Sequence, residues 1–453
     1  MKPISRLRFD ALAGYSKKPF FNLLFEEIEW YEEGEERVLG LLGMDVTDQD
    51  YGSIIIAQDR KGRYRAVHVT DFADSLEEAR NTLQQELVRQ AGLPDEEFYQ
   101  GDEQGRPVDF FRPLVARESL NGSFRLLLES PGYSPARGIV SAMMRYFEDP
   151  DGNFIQQFQT TGFDTRIWEL YLFAALSEMG FAVDRAHNAP DFLCRSISEE
   201  LAIEAVTVNP TVAGGVNVEP PEPREPDERA SYLANYMPIK FSNVLTGKLA
   251  REYWRLPHVE GKPLVIAIQD FHTGDAMMGT NSALTRYLYG LNVTWHRDND
   301  GNLVLEQEII ENHEWQGRVR VSGFFRLPTS EYISAVIANP HGTISKFNRM
   351  GYLAGFGSRE VRMIRRGTHY VDDPNMDEPA YFEREVTGPG YAETWREGMI
   401  IYHNPAALFP LDLDSFPGVA HMVIDEDGSL TTLMPREGFH PFMSYTAIFA
   451  PAD

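Results

Sequence analysis

Apolar and polar positions in this chain switch between a two-residue and a helical period, and the switches divide it into segments. Residues 37–45, 52–58 and 64–70 read as three strands, the last two joined by the turn Asp59-Arg60-Lys61-Gly62. Ser75 then caps a helix predicted to run to Gln90. Glu77 and Glu78 sit in its first turn, where the helix dipole favours acid. Residues 1–150 therefore read as an α+β module, and they carry no chemical motif.

The pattern becomes denser after residue 151. Asp164 is placed to cap a helix that ends near Gly180 and is apolar almost all round from Thr165 to Leu176, which predicts burial on every side. Residues 181–184 and 190–194 read as short strands. Residues 201–208 form a nearly continuous apolar run, the signature of a central strand. Residues 219–228 hold four prolines and five acids and read as a loop. A helix is predicted over 236–256 and a strand over 263–271. This order predicts an α/β unit over 151–290 with one mixed sheet flanked by helices. Residues 291–453 form a third, α+β region. Its strands are predicted at 304–310, 318–325, 332–338 and 420–432, with a hairpin turn at Asp425-Glu426-Asp427-Gly428.

Composition narrows the class. The 453 residues are 43% hydrophobic and 24% charged, which excludes a wholly disordered chain. Lys and Arg number 42 against 68 Asp and Glu, a net charge of −26, so an anionic partner must be met by a local basic patch or a metal. The single cysteine, Cys194, excludes an intrachain disulfide and a cysteine-cluster zinc site, and suits a reducing cytoplasm. A cytoplasmic protein is expected. The residues after Met1–Arg8 lack the apolar stretch of a targeting segment, and no uncharged apolar run approaches the ~20 residues of a membrane span.

Three carboxylates stand where their neighbours are apolar. Glu169 lies in the apolar helix, Asp191 follows Pro190 at the start of a short strand, and Glu204 sits mid-way along the most hydrophobic strand. An unpaired buried carboxylate costs several kcal/mol, so all three need a partner. Each has a plainer reading: Glu169 paired with Arg166, Asp191 as a turn residue, Glu204 as a partly exposed strand acid. Three within one 36-residue stretch instead suggest a common partner, a hard divalent cation. The 13-residue spacing of Asp191 and Glu204 fits adjacent strands, and alternation sets Glu204 and Val206 on one face.

Pro190-Asp191 followed by Glu204-Ala205-Val206 resembles the PD-(D/E)xK motif of the restriction-endonuclease-like nuclease superfamily. With the flanking helices and the following strand, the resemblance covers about 110 residues, from Asp164 to Phe271. It implies a restriction-endonuclease-like core and metal-dependent phosphodiester hydrolysis of DNA or RNA. Asp191 and Glu204 would hold Mg²⁺ or Mn²⁺, with Glu169 assisting. A prokaryotic defence or nucleic-acid-processing role fits that analogy. The motif lysine is replaced by Val206. Some branches supply it from a neighbouring helix, and here Lys240 and Lys248 are the candidates, with Lys240 favoured for its place near the helix start. Without such a lysine the chain is a catalytically inactive binding or interaction module of the same fold.

Two basic segments are candidate nucleic-acid contacts. Residues 238–256 hold Lys240, Lys248, Arg251 and Arg255 against Glu252, a net of +3. Residues 346–366, with Lys346, Arg349, Arg362, Arg365 and Arg366 among them, net +5 with Tyr352 and Phe356 interleaved. A salt-bridge network with the abundant acids is the competing reading of the second segment. The expected partners are nucleic acid, gripped locally or delivered by a protein partner, and no membrane. The histidines, His258, His272 and His341 among them, show no ligand spacing and read as ordinary polar residues.

Overall fold

The computed structural model describes residues 1–103, 107–147, 149, 152–214, 216–371, 373, 376 and 378–450. The N-terminal part is an antiparallel sheet in sequence order: β1 (Lys2–Pro3), β2 (Phe25–Glu33), β3 (Val38–Asp45), β4 (Tyr51–Gln58) and β5 (Tyr64–Val69). Helices α1 (Arg6–Ala13) and α2 (Phe21–Leu24) precede β2, and α3 (Leu76–Ala91) follows β5. Ser75 caps α3 by accepting from the Glu78 N–H, and Leu83 and Leu87 bury against Val38, Leu42 and Ile55. The three expected strands and the helix are present. β2 escaped the sequence reading because five of its nine residues are glutamates. A bulge between Glu27 and Glu29 also breaks its alternation.

Helices α4 (Gly122–Glu129), α5 (Ser134–Met143) and α6 (Phe154–Gln159) lead into α7 (Phe163–Glu178). Asp164 lies in the first turn of α7, whose cap is Gly162. α7 is buried from Ile167 to Leu176, and the Trp168 indole N–H donates to the Ala267 carbonyl at 3.0 Å. β6 (Ala182–Asp184), β7 (Phe192–Arg195) and β8 (Glu200–Val208) form an antiparallel meander. A small hairpin, β9 (Thr211–Ala213) with β10 (Val216–Val218), follows. Then come α8 (Pro226–Ser231), a π-helical turn at Tyr232–Tyr236, and α9 (Met237–Leu249). The helix expected to reach residue 256 stops at Leu249, and Glu252 adopts a left-handed conformation at φ 51°. β11 (Leu264–Asp270) then pairs parallel with β8, and α10 (Thr280–Tyr289) covers the same face as α9.

The sheet does not stop at residue 290. Two hairpins, β12 (Leu291–Arg297) with β13 (Leu303–Ile309) and β14 (Asn312–Trp315) with β15 (Arg318–Val321), stand apart from it. Four later strands enter it: β16 (Ala335–Ala338), then, after α11 (Ile344–Leu353), β17 (Arg362–His369) and β18 (Ala380–Glu385), the strands β19 (Ile400–His403), β20 (Ala420–Ile424) and β21 (Leu430–Leu433). The order is β21-β20-β19-β16-β11-β8-β7-β6, with β8, β11 and β16 parallel. β17, β18 and the final strand β22 (Pro441–Phe449) make a separate three-stranded sheet. The protein is thus a mixed α/β chain with a large mixed sheet flanked by helices. β8 is buried on both faces: Ile203 and Ala205 pack with α7, while Ala202, Val206 and Val208 pack with α9. Among the described residues no helix is long and apolar enough to cross a membrane.

The basic segment 346–366 is not a surface patch. Lys346, Arg349 and Arg365 are buried around Glu393 and Glu397. Lys346 Nζ and Arg349 Nη2 each lie 2.8 Å from Glu393 Oε1, and Arg365 Nη1 lies 2.5 Å from Glu397 Oε1. These three cations are closed to nucleic acid because alternation on β17 and the inner face of α11 turn them into the core. Arg362 and Arg366 point the other way on β17 and pair at the surface with Glu385 and Glu383. Burial alone would raise the Glu393 carboxyl, yet Arg349, Lys346 and Arg365 hold it well below the usual range. Neutralising it strands buried positive charge. Glu393→Gln should cost about 3–5 kcal/mol in urea denaturation, whereas Arg362→Gln should leave the midpoint unchanged within error.

Candidate functional site

β7 begins at Phe192, opposite Ile203, and continuing that antiparallel register by one residue sets Asp191 opposite Glu204. There the Asp191 carboxylate takes over from the β7 backbone: its Oδ2 accepts the Ala205 N–H at 2.8 Å. Glu204 faces α9. Its Oε1 accepts from the Lys248 ammonium and from the Tyr253 hydroxyl, the latter at 2.7 Å. Tyr253 lies in the short 3₁₀ turn Tyr253–Arg255 that follows α9. Asp191 Oδ1 and Glu204 Oε2 accept no hydrogen bond from any described residue.

Lys248, not Lys240, meets the acid. The reason is the direction of the crossover. A helix linking two parallel strands runs back antiparallel to them. The start of α9 therefore lies at the far end of β8, and its last turn returns to the strand's middle. Lys240 Nζ accordingly donates to the Asn209 carbonyl at 2.7 Å and to Thr211 Oγ1 at 3.0 Å, beyond the end of β8. The expectation that Lys240 serves the carboxylates is corrected on that ground.

Glu169 does not join them either. It is buried on α7, the helix that packs on the face of β8 opposite α9. Arg166 Nη1 donates to its two oxygens at 2.7 and 2.9 Å, and Arg185 Nη2 donates to Oε2 at 2.9 Å. The plain reading of Glu169 as Arg166's partner holds, with Arg185 added. Among the described residues no group of three or more His, Cys, Asp or Glu side chains is arranged to hold a metal ion. The expected three-carboxylate convergence reduces to the pair Asp191 and Glu204.

That pair is electrostatically tense. Burial, reinforced by the charges of Glu204 and Glu169, pushes the Asp191 carboxyl up to about 8 against the pull of the Ala205 N–H and Lys248. Burial likewise raises Glu169 despite Arg166 and Arg185. Arg251 and Arg255 are exposed just beyond α9, Arg255 paired with Glu252 at 2.8 Å. Tyr253 and Arg185 were missed in the sequence. Each is one residue without a periodic or compositional signal, brought to its carboxylate by the fold alone. No known protein family, curated protein or solved structure matches the chain.

The Asp191 shift has a consequence for stability. The folded chain keeps a proton on Asp191 between the unfolded value of about 3.9 and about 8, where the unfolded chain has lost it. The unfolded state then binds fewer protons, so this group makes stability fall as pH rises across that window. Urea denaturation of Asp191→Asn should therefore show a gain relative to wild type that is larger at about pH 8 than at about pH 5. An equal offset at both would show that Asp191 is ionised throughout.

Proposed function

We propose that residues 163–270 form a restriction-endonuclease-like core that hydrolyses phosphodiester bonds of DNA or RNA with a divalent cation, Mg²⁺ or Mn²⁺. The observation that carries the reading is the seat of Lys248. A lysine from the covering helix rests on Glu204, beside Asp191, where the motif's own third position holds Val206. The order α7, β6-β7-β8 meander, α9, β11 parallel to β8 supports it.

The donor set fits a hard cation. Two carboxylates from adjacent strands each leave one oxygen without a protein donor, and Mg²⁺ commonly takes one or two carboxylates and keeps several waters. Such an ion, when bound, lowers the pKa of a bound water and offsets charge gathering on the phosphate. The chain's own residues supply the rest. The Ala205 N–H fixes the plane of Asp191, and Tyr253 fixes Glu204. The Lys248 ammonium, with three donors, keeps protons to offer once Glu204 has taken one. Arg166 and Arg185 offset part of the charge of Glu169, the remainder of which adds to the pair's repulsion. Arg251 lends exposed positive charge beside the site, which a chain of net charge −26 needs to meet a phosphate backbone, while the charge of Arg255 is offset by Glu252.

Calorimetry with Mn²⁺ and a cleavage assay on oligonucleotides test this reading. Wild type should bind Mn²⁺ and Asp191→Asn should not. Glu204→Gln should abolish cleavage with the fold intact. Lys248→Met should slow cleavage by roughly 100-fold or more, the scale of losing one charged donor at a phosphoryl centre. Equal, negligible Mn²⁺ binding in wild type and Asp191→Asn would leave only the inactive module of the same fold. Cleavage that survives Glu204→Gln would place the chemistry elsewhere.

A further inference from the structure

The far end of β8 holds a second cluster that phosphodiester cleavage does not use. β8 and β11 run parallel with Val208 opposite Asp270. Beyond their carboxyl ends, the side of α/β sheets where ligands collect, lies a cleft of about 170 Å³. Its lining includes Tyr236, Lys240, Asn243, Trp315 and Arg318.

One wall is aromatic and braced. Trp315 meets Tyr236 at 5.5 Å and 62°, and Tyr236 stacks on Tyr232 at 4.9 Å and 27°. Beneath them the Tyr232 hydroxyl bonds His272 Nε2 at 2.6 Å, and His272 Nδ1 bonds Asp270 Oδ1 at 2.6 Å. All three are buried, and Tyr232 opens the π-helical turn, a distortion found often at functional sites. The relay holds the rings in place.

The other wall is cationic and unpaired. Lys240 spends two donors on Asn209 and Thr211 and keeps a third. Among the described residues Arg318 has no ion pair, and Arg320 donates only to Asn243 and to the Val319 carbonyl. The buried Asp270 acts on Lys240 from below, but among the described residues none of the three cations is in a salt bridge, and in a chain with 68 acids to 42 Lys and Arg such unpaired cations suit an anion site. The hairpin turn Gln316-Gly317, with φ of 49° and 76°, pairs Trp315 directly with Arg318 and so presents a ring and a cation together.

We propose that this cleft binds a nucleotide unit, its base against Trp315 and Tyr236 and its phosphate on Lys240 and Arg318. The small volume takes the planar ring and leaves the phosphate at the mouth, on the exposed Arg318. The site shares no residue with the Asp191–Glu204 pair and stands whether or not that pair cleaves.

Calorimetry on the full chain in EDTA tests it apart from any metal. The titrants are adenosine 5′-monophosphate, adenosine, inorganic phosphate and a single-stranded oligonucleotide. The monophosphate should bind at one site, at least about tenfold tighter than adenosine or phosphate alone, because the ring and the charge are held together. Arg318→Ala should weaken it about tenfold, the loss of one charge-assisted contact. Trp315→Ala should weaken it similarly, and Trp315→Phe, which keeps a ring and the packing on Tyr236, should largely restore it. If the nucleotide is part of a strand, the monophosphate competes with the oligonucleotide and Arg318→Ala weakens both. If it is a free ligand, oligonucleotide binding is indifferent to the monophosphate. No heat with the monophosphate and the oligonucleotide, or affinities unchanged in Arg318→Ala, overturns the proposal.

Discussion

A carboxylate in a strand buried on both faces must be met by donors from whatever covers that strand. At Glu204 those donors are Lys248 and Tyr253, from the last turn of α9 and the turn after it. That requirement fixes how α9 lies on the sheet, because only the returning end of a crossover helix reaches mid-strand. Asp191 is treated differently. Among the described residues it has one backbone N–H and no salt bridge, so burial and the neighbouring charges of Glu204 and Glu169 leave it with an elevated affinity for protons. One acid satisfied and its neighbour left wanting is the asymmetry from which the candidate chemistry comes.

Much of the central architecture was legible because it follows from local pattern. The continuous apolar run of β8, the all-round apolar surface of α7 and the Ser75 cap each announce their element within a few residues. The three costly acids were legible as a problem, but not their partners. Arg185 comes from beyond β6, and the choice of Lys248 over Lys240 depends on crossover direction, a property of three dimensions. The segment 346–366 misled for a similar reason: Glu393 and Glu397 lie about 30 to 50 residues downstream, so the charges that neutralise it are invisible locally. The boundary expected at residue 290 marks where helices give way to two stray hairpins, while the sheet itself resumes at Ala335.

The chain handles its scarce cations in two ways. Lys346, Arg349 and Arg365 are locked inside against glutamates, where they tie α11, β17 and the segment before β19 into one body. Among the described residues Lys240, Arg318 and Arg320 form no salt bridge at the carboxyl end of β8, where the buried Asp270 is held by His272. The first arrangement gives rigidity and no access; the second gives access to negative charge in a molecule whose overall field repels it. β8 thus carries charge of opposite sign at two places: an acid at its middle and bases beyond its carboxyl end.

The eight-stranded sheet also has a temporal side. β11 is made after β8, its partner on one flank, but roughly 70 residues before β16, its partner on the other. At about 5–20 residues per second that interval is on the order of several seconds. For its duration a strand of sequence Leu-Val-Ile-Ala-Ile shows an open row of backbone donors and acceptors, the kind of edge that recruits other chains. A nascent chain in which β8 and β11 have paired before β16 is made exposes that edge while the hairpins β12–β13 and β14–β15 are being synthesised.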